Sequence, residues 1–347
     1  MTSNLQSNAP VVEFSPLEHN LLCLKPFLSN LDNTEIVVNK PGEVITLSKG
    51  QWRYHVVPEL TYSKCLDIAK LAATFSKQKI NDRTPILSAT LPNGERIQVV
   101  RPPACLDGCV SFTIRNPSRK RYTLDEYEAL GMFNDTKASV NEISDIEQRL
   151  VDLNEKGYYK EFLRLAVKSK KTIIVSGSTG SGKTTFCQSL LDLVPQDERL
   201  ISIENVDELK LYESHTNTVN LFYSANKQGV AEISQQELLE SSLRMKPDRI
   251  FVAELIRGDE AFYFLRNVNS GHPGSMTTIH ANSPELAFEQ LVLFLKESES
   301  GSSLSRIDIK QFLYMCVDVV IQTQAVKGIH RVSEIYYDPK KKYEQLG

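Results

Sequence analysis

Residues 172–185 read Thr172-Ile173-Ile174-Val175-Ser176-Gly177-Ser178-Thr179-Gly180-Ser181-Gly182-Lys183-Thr184-Thr185. An apolar run suited to a buried strand enters the segment, and residues 185–193 continue it with a helical pattern. Between them stands the spacing G-x-x-x-x-G-K-T, which reads as a phosphate loop in this strand–loop–helix setting. The residue types supply the chemistry. Gly177, Gly180 and Gly182 let the backbone curl, so that successive N–H groups from Ser178, Thr179 and Ser181 onward point at a β-phosphate. The helix starting near Lys183 adds the positive end of its dipole. Lys183 places charge on the β- and γ-phosphates. Thr184 offers its hydroxyl to Mg²⁺, and Thr185 completes the nucleotide-binding run.

Outward from the loop, residues 200–204, 249–253 and 275–280 read as further strands, and 236–245 and 260–268 as helices. The strands are almost wholly apolar, as strands buried on both faces are. Their alternation with helices predicts an α/β domain with a mostly parallel, doubly wound sheet over residues 145–347. The upstream sequence has a different grain. Residues 34–39, 43–47, 51–57, 86–91, 96–100 and 110–114 are strand-like. Residues 62–75 place Cys65, Ile68, Ala69, Ala72 and Phe75 on one helical face. Asn93-Gly94 between two strand patterns marks a hairpin. This predicts a smaller α+β domain over 21–116, a flexible stretch at 1–20, and a linker at 117–144 that includes the charged Arg119-Lys120-Arg121.

With 347 residues and 41% apolar composition, the chain can fill one or two cores. Lys and Arg number 40 against 43 Asp and Glu, a net charge of −3. A surface that coats nucleic acid needs a cationic surplus, which this chain lacks. No apolar run approaches a membrane-spanning length, and residues 1–10 do not resemble a secretory signal. The six cysteines are scattered, as in reduced cytoplasmic proteins. Cys105 and Cys109 form the one close pair, without a second pair to complete a zinc site.

Several residues are candidates to act on a bound nucleotide. A guanine-reading Asn-Lys-x-Asp is approached only by Asn226-Lys227-Gln228-Gly229, which lacks the aspartate, so ATP is favoured. Glu254 ends the apolar run 249–253 and Glu204 ends 200–204, with Asp207 and Glu208 following. A carboxylate at a strand end beside a phosphate loop can hold Mg²⁺ or orient the attacking water. His280 closes Gly271-His272-Pro273-Gly274-Ser275-Met276-Thr277-Thr278-Ile279-His280-Ala281, where it can sense a γ-phosphate.

In this order, four motifs resemble those of the secretion ATPases, specifically the hexameric traffic ATPases of type IV secretion and conjugation systems, which are related to type II secretion and type IV pilus ATPases. They are the phosphate loop, the acid-rich Ile203-Glu204-Asn205-Val206-Asp207-Glu208-Leu209, the run 249–254 and the histidine box. Leu243-Arg244-Met245-Lys246-Pro247-Asp248 also fits. In the first domain, Glu35-Ile36-Val37-Val38-Asn39-Lys40-Pro41-Gly42, Leu91-Pro92-Asn93-Gly94-Glu95-Arg96 and Phe112-Thr113-Ile114-Arg115 are similar to the family's signatures. The resemblance spans roughly residues 20–335 and implies a RecA-like ATPase domain that uses ATP and Mg²⁺. Lys183, Thr184, Glu204, Glu254 and His280 would do its chemistry, with Thr184, Glu204 and Glu254 at the metal and Glu254 as the favoured base. Arg115, Arg101 and Arg96 would reach nucleotide from the first domain. Glu208, Arg244 and Arg257 are secondary candidates. It further implies a homohexamer, cytoplasmic and peripheral to a bacterial inner membrane, working with inner-membrane secretion components. The chain departs from the family at Ala253, at Asn205, and in the extra residue of Glu254-Leu255-Ile256-Arg257-Gly258. A RecA-like motor stimulated by DNA is a competing reading, with Arg119-Lys120-Arg121 and 168–171 as its basic runs, and a type II secretion or pilus ATPase is another; a scaffold with a vestigial nucleotide site is disfavoured by the intact loop and acids.

Overall fold

The computed structural model describes residues 15–117, 121–136, 142–224 and 229–344. The first unit begins with helices α1 (Pro16–Asn20) and α2 (Lys25–Leu28). Strands β1 (Asn33–Val38), β2 (Glu43–Ser48) and β3 (Gln51–Val56), helix α3 (Tyr62–Phe75), and strands β4 (Ile86–Thr90), β5 (Arg96–Val100) and β6 (Ser111–Arg115) follow. They make a six-stranded sheet in the order β3-β2-β1-β6-β5-β4, every neighbour antiparallel. Strand alternation sorts its two faces. Ile36, Val38, Ile97, Val99, Phe112 and Ile114 pack on the apolar face of α3. Glu35, Gln98 and Thr113 point the other way and are also buried. Residues 15–20, expected to be loose, instead form a helix. Ser15 and Glu18 cap it reciprocally, and Leu17 is buried in the core. Residues 1–14 lie outside the described residues.

Helix α4 (Leu124–Ala129) stands within the expected linker. Residues 118–120 and 137–141 of that stretch, Arg119 and Lys120 among them, lie outside the described residues, as do Asn226, Lys227 and Gln228.

The second unit runs α5 (Asp145–Glu155), α6 (Tyr159–Lys168), β7 (Ile173–Gly177), α7 (Lys183–Leu191), β8 (Leu200–Glu204), α8 (Leu211–Ser214), β9 (Thr218–Phe222), α9 (Gln235–Ser242) and β10 (Arg249–Val252). It continues with α10 (Gly258–Asn269), β11 (Met276–Ile279), α11 (Pro284–Glu297), α12 (Arg306–Cys316), β12 (Val319–Val326), β13 (Ile329–Tyr337) and α13 (Pro339–Glu344). The seven strands lie in the order β13-β12-β7-β11-β10-β8-β9, all parallel except β13. Ile174, Ile201, Ile203, Ile250, Val252 and Val320 enter one core, and their chain neighbours Ile173, Val175, Leu200, Phe251 and Val319 enter another. Both faces are therefore covered, as a parallel sheet requires.

The β12–β13 hairpin was not legible in the sequence. It turns through Lys327 at φ 50° and Gly328 at φ 78°, two left-handed residues in a two-residue connection. Two lysines near the end dock on the second unit. Lys342 Nζ is 2.8 Å from Asp318, and Lys341 Nζ lies 4.0 Å from the centre of the Tyr314 ring.

The polar face of the first sheet meets the second unit. Arg199, fully buried, joins them. Its guanidinium donates to Asn39 Oδ1 at 2.8 Å and Thr113 Oγ1 at 3.4 Å in the first unit, and to Asn217 Oδ1 at 2.5 Å in the second. Its Nε donates to Met245 O. Gln98 Nε2 adds a bond of 2.8 Å to Ser241 Oγ. Burial lowers the Arg199 pKa to about 10, against the pull of Asp248 and Glu35.

Candidate nucleotide site

The loop between β7 and α7 takes its shape from its glycines, but not all for one reason. Gly180 and Gly182 have φ of 74° and 85°, where a side chain is strained. Gly177 does not; a Cβ there would come within 2.6 Å of Thr323 O, so β12 lies against the loop's first turn. Thr323 holds that contact, donating to Ser176 O at 3.0 Å and pairing with Ser181 Oγ at 2.9 Å. Helix α7 then begins at Lys183 with its first N–H groups free of side-chain caps, which leaves them to an anion.

Lys183 is buried, and burial lowers its pKa while Glu254 opposes the shift. Its ammonium donates to Gly177 O at 3.0 Å and Ser178 O at 3.1 Å, and lies 3.2 Å from His280 Nδ1. An ammonium has only donors, so Nδ1 accepts and the imidazole proton sits on Nε2. That nitrogen is 2.6 Å from Glu254 Oε1. Lysine, imidazole and carboxylate thus form a continuous chain from the loop to the C-terminal ends of β11 and β10. A cleft of about 630 Å³ opens over it and is lined by Lys183, Thr184, Glu208, Glu254, Arg257 and His280.

The acids divide in a way the sequence does not announce. Glu208 Oε2 is 3.4 Å from the Thr184 hydroxyl and faces the cleft. Glu204 does not line the cleft and is fully buried. The turn after β8 folds over it, and one oxygen accepts the N–H of Glu208 at 2.9 Å and of Leu209 at 2.7 Å. Burial raises its pKa against those bonds. Glu204 shapes the loop that presents Glu208. The Thr184 hydroxyl and the Glu208 and Glu254 carboxylates are all-oxygen donors, which suit a hard cation such as Mg²⁺.

The first-domain arginines do not reach this cleft within the chain. Arg96 and Arg115 pair across β5 and β6 and share a separate recess of about 650 Å³ with Arg244 and Lys246. Glu35 faces them, 3.8 Å from Arg115 Nε; burial raises its pKa to about 7 although Arg115, Lys246 and Arg199 pull it down. Arg101 is 2.5 Å from Asp82 and lies apart from both. Arg257 keeps its place on the cleft despite the extra residue, because Leu255 turns inward and donates its N–H to Thr278 O at 3.0 Å. The basic run 168–171 is partly consumed internally, with Lys171 2.8 Å from Glu147 and Lys170 3.5 Å from Glu198.

Two cleft residues escaped the sequence reading. Glu260 accepts the N–H groups of Ile256 and Arg257, each at 3.1 Å, and so fixes the turn after Glu254. Gln235 Nε2 donates to Glu254 O at 3.3 Å. The only signal for Glu260 was its place three residues into a helix, where an acid closes a capping box.

Loop, sheet order and cleft together define a phosphate-loop ATPase with a RecA-like C-terminal domain. A sequence profile described as "Type II/IV secretion system protein" matches residues 34–327. The chain belongs to that family. The type IV secretion system protein VirB11 of Bartonella quintana is 43% identical over 335 residues, covering 93% of each chain. VirB11 of Brucella suis is 43% identical over 341 residues, 96% of this chain and 93% of the relative. A crystal structure of the VirB11 ATPase from the Brucella suis type IV secretion system, in complex with sulphate, superposes with a TM-score of 0.88 at 42% identity and covers 95% of this chain and all of that one. Among the described residues no helix is long and apolar enough to cross a membrane.

Proposed function

We propose that this protein hydrolyses ATP in the cleft over Lys183 and uses the energy to drive assembly of, or substrate transfer through, a bacterial type IV secretion machine. The observation that carries the reading is the unbroken chain Lys183–His280–Glu254. The loop amides and Lys183 hold the phosphates, and Glu254 accepts a proton from the attacking water. A γ-phosphate competes with His280 for the lysine's donors. Its arrival and departure therefore change the bond between His280 and Glu254, which gives the two nucleotide states different contacts and a basis for movement. Thr184 and Glu208 would hold Mg²⁺, which when bound neutralises developing charge on the phosphates.

The recess of Arg96, Arg115 and Arg244 supports a ring. Three guanidiniums and Lys246 facing a single carboxylate are suited to a phosphate from a second copy. We read the working form as a homohexamer, cytoplasmic and peripheral to the inner membrane, with membrane-embedded secretion components as partners. Light scattering with and without ATP and Mg²⁺ tests this. A species near six subunits, strengthened by nucleotide in wild type but not in Lys183→Ala, is expected. A monomer indifferent to nucleotide would overturn the ring.

A further inference from the structure

The sheet order places different things on the two sides of the phosphate loop. On one side of β7 lies β11, followed by β10, which bring His280 and Glu254 to the terminal-phosphate end of Lys183. On the other side lies β12, continued by the hairpin to β13. A triphosphate whose terminal phosphate sits at Lys183 and Glu254 can carry its nucleoside past the start of α7 toward the hairpin. There the ring of His330 lies against the loop: a Cβ on Gly182 would come within 3.0 Å of His330 Nδ1 and 3.2 Å of its Cγ. Gly182 is the residue from which α7 starts, so the imidazole stands beside the first amides of that helix. His330 is exposed, and among the described residues its side chain makes no hydrogen bond or ion pair. The hairpin that carries it is fastened to the loop through Thr323, bonded to both Ser181 and Ser176, so β12 and the loop are held together.

Resting on the nucleotide reading above, we propose that His330 is a nucleotide-binding residue that contacts the ribose from the C-terminal hairpin. Imidazole suits this place. It can donate to a ribose hydroxyl, and its flat face can cover the sugar. Its role belongs to the nucleoside half of the ligand, whereas Lys183 serves the phosphate half.

That division supplies the test. Calorimetric titration of the full chain with ADP and with inorganic tripolyphosphate compares a ligand that has a nucleoside with one that does not. His330→Ala is expected to weaken ADP about 10-fold, the loss of one good hydrogen bond, and to leave tripolyphosphate unchanged. His330→Gln, which keeps a donor, should fall between. Unchanged ADP affinity would overturn the proposal, and so would an equal loss for both ligands, since the ring would then be shaping the loop. Wild type that binds neither ligand would overturn the nucleotide site itself, a separate failure.

Discussion

At the scale of single residues, the site rests on which carboxylates face the cleft. The sequence offers Glu204 and Glu208 four positions apart, and nothing in their spacing says which is covered. A strand-end acid reads the same whether the following turn leaves it open or folds over it. Here the turn closes, and Glu204 serves two backbone N–H groups. Glu208→Ala should raise the Mg²⁺ concentration for half-maximal hydrolysis about 10-fold with little change in melting temperature. Glu204→Ala should do the reverse: it strands two amides and costs about 1–3 kcal/mol of stability, read by chemical unfolding. Glu35 gives a pH signature. Its folded pKa, about 7, exceeds the ordinary carboxylate value, so the native state holds a proton that the unfolded chain has released. Stability should therefore fall as pH rises from about 4.5 through 7, by up to about 3 kcal/mol. Unfolding midpoints of Glu35→Gln should lack that slope. By contrast, Gly182, Lys183 and Thr184 were legible outright, because phosphate geometry dictates their order.

At the scale of elements, the parallel strands announced themselves by composition and the C-terminal hairpin did not. Every described position of β13 is at least partly exposed, so no apolar alternation marks it, and its turn is Lys327-Gly328, without the Asn-Gly that flagged the earlier hairpin. Yet β12 bounds the phosphate loop. Gly177 is glycine because Thr323 crowds it, a reason a motif cannot reveal. Gly177→Ala should push β12 from the loop, cost about 1–3 kcal/mol, and weaken ATP binding, while φ at the site stays permissible for alanine. A thermal melt and an ATP titration on one preparation check both effects; a variant as stable and as tight as wild type would show that the contact yields freely.

At the scale of the whole molecule, Val100, Ala104 and Cys105 of the first unit enter a core of the second, and a buried polar junction stands beside them. Arginine is rarely found buried, and in sequence Arg199 reads as an ordinary surface cation. In the structure it binds Asn39 and Thr113 of one unit and Asn217 and Met245 O of the other. Its substitution by alanine removes a donor from each of those groups, although Asn217 Oδ1 keeps a bond of 3.0 Å from Asn39 Nδ2. Arg199→Ala should lose about 3–5 kcal/mol and speed hydrogen exchange in β1 and β9, the strands flanking the contact. The distribution of cations belongs to the same scale. Arg96 and Arg115 could be picked out as phosphate-binding types, but their distance from their own loop is a property of domain placement that no local pattern encodes.

The most direct measurement is phosphate release from ATP by purified wild type and Glu254→Gln, with ATP affinity determined on the same samples. The glutamine keeps the shape and can still accept from His280, but it cannot take a proton from water. Turnover should fall at least about 100-fold while ATP affinity stays within a few-fold of wild type. Glu254→Gln that turns over at the wild-type rate would contradict the assignment of Glu254 as the base at the end of the Lys183–His280–Glu254 chain.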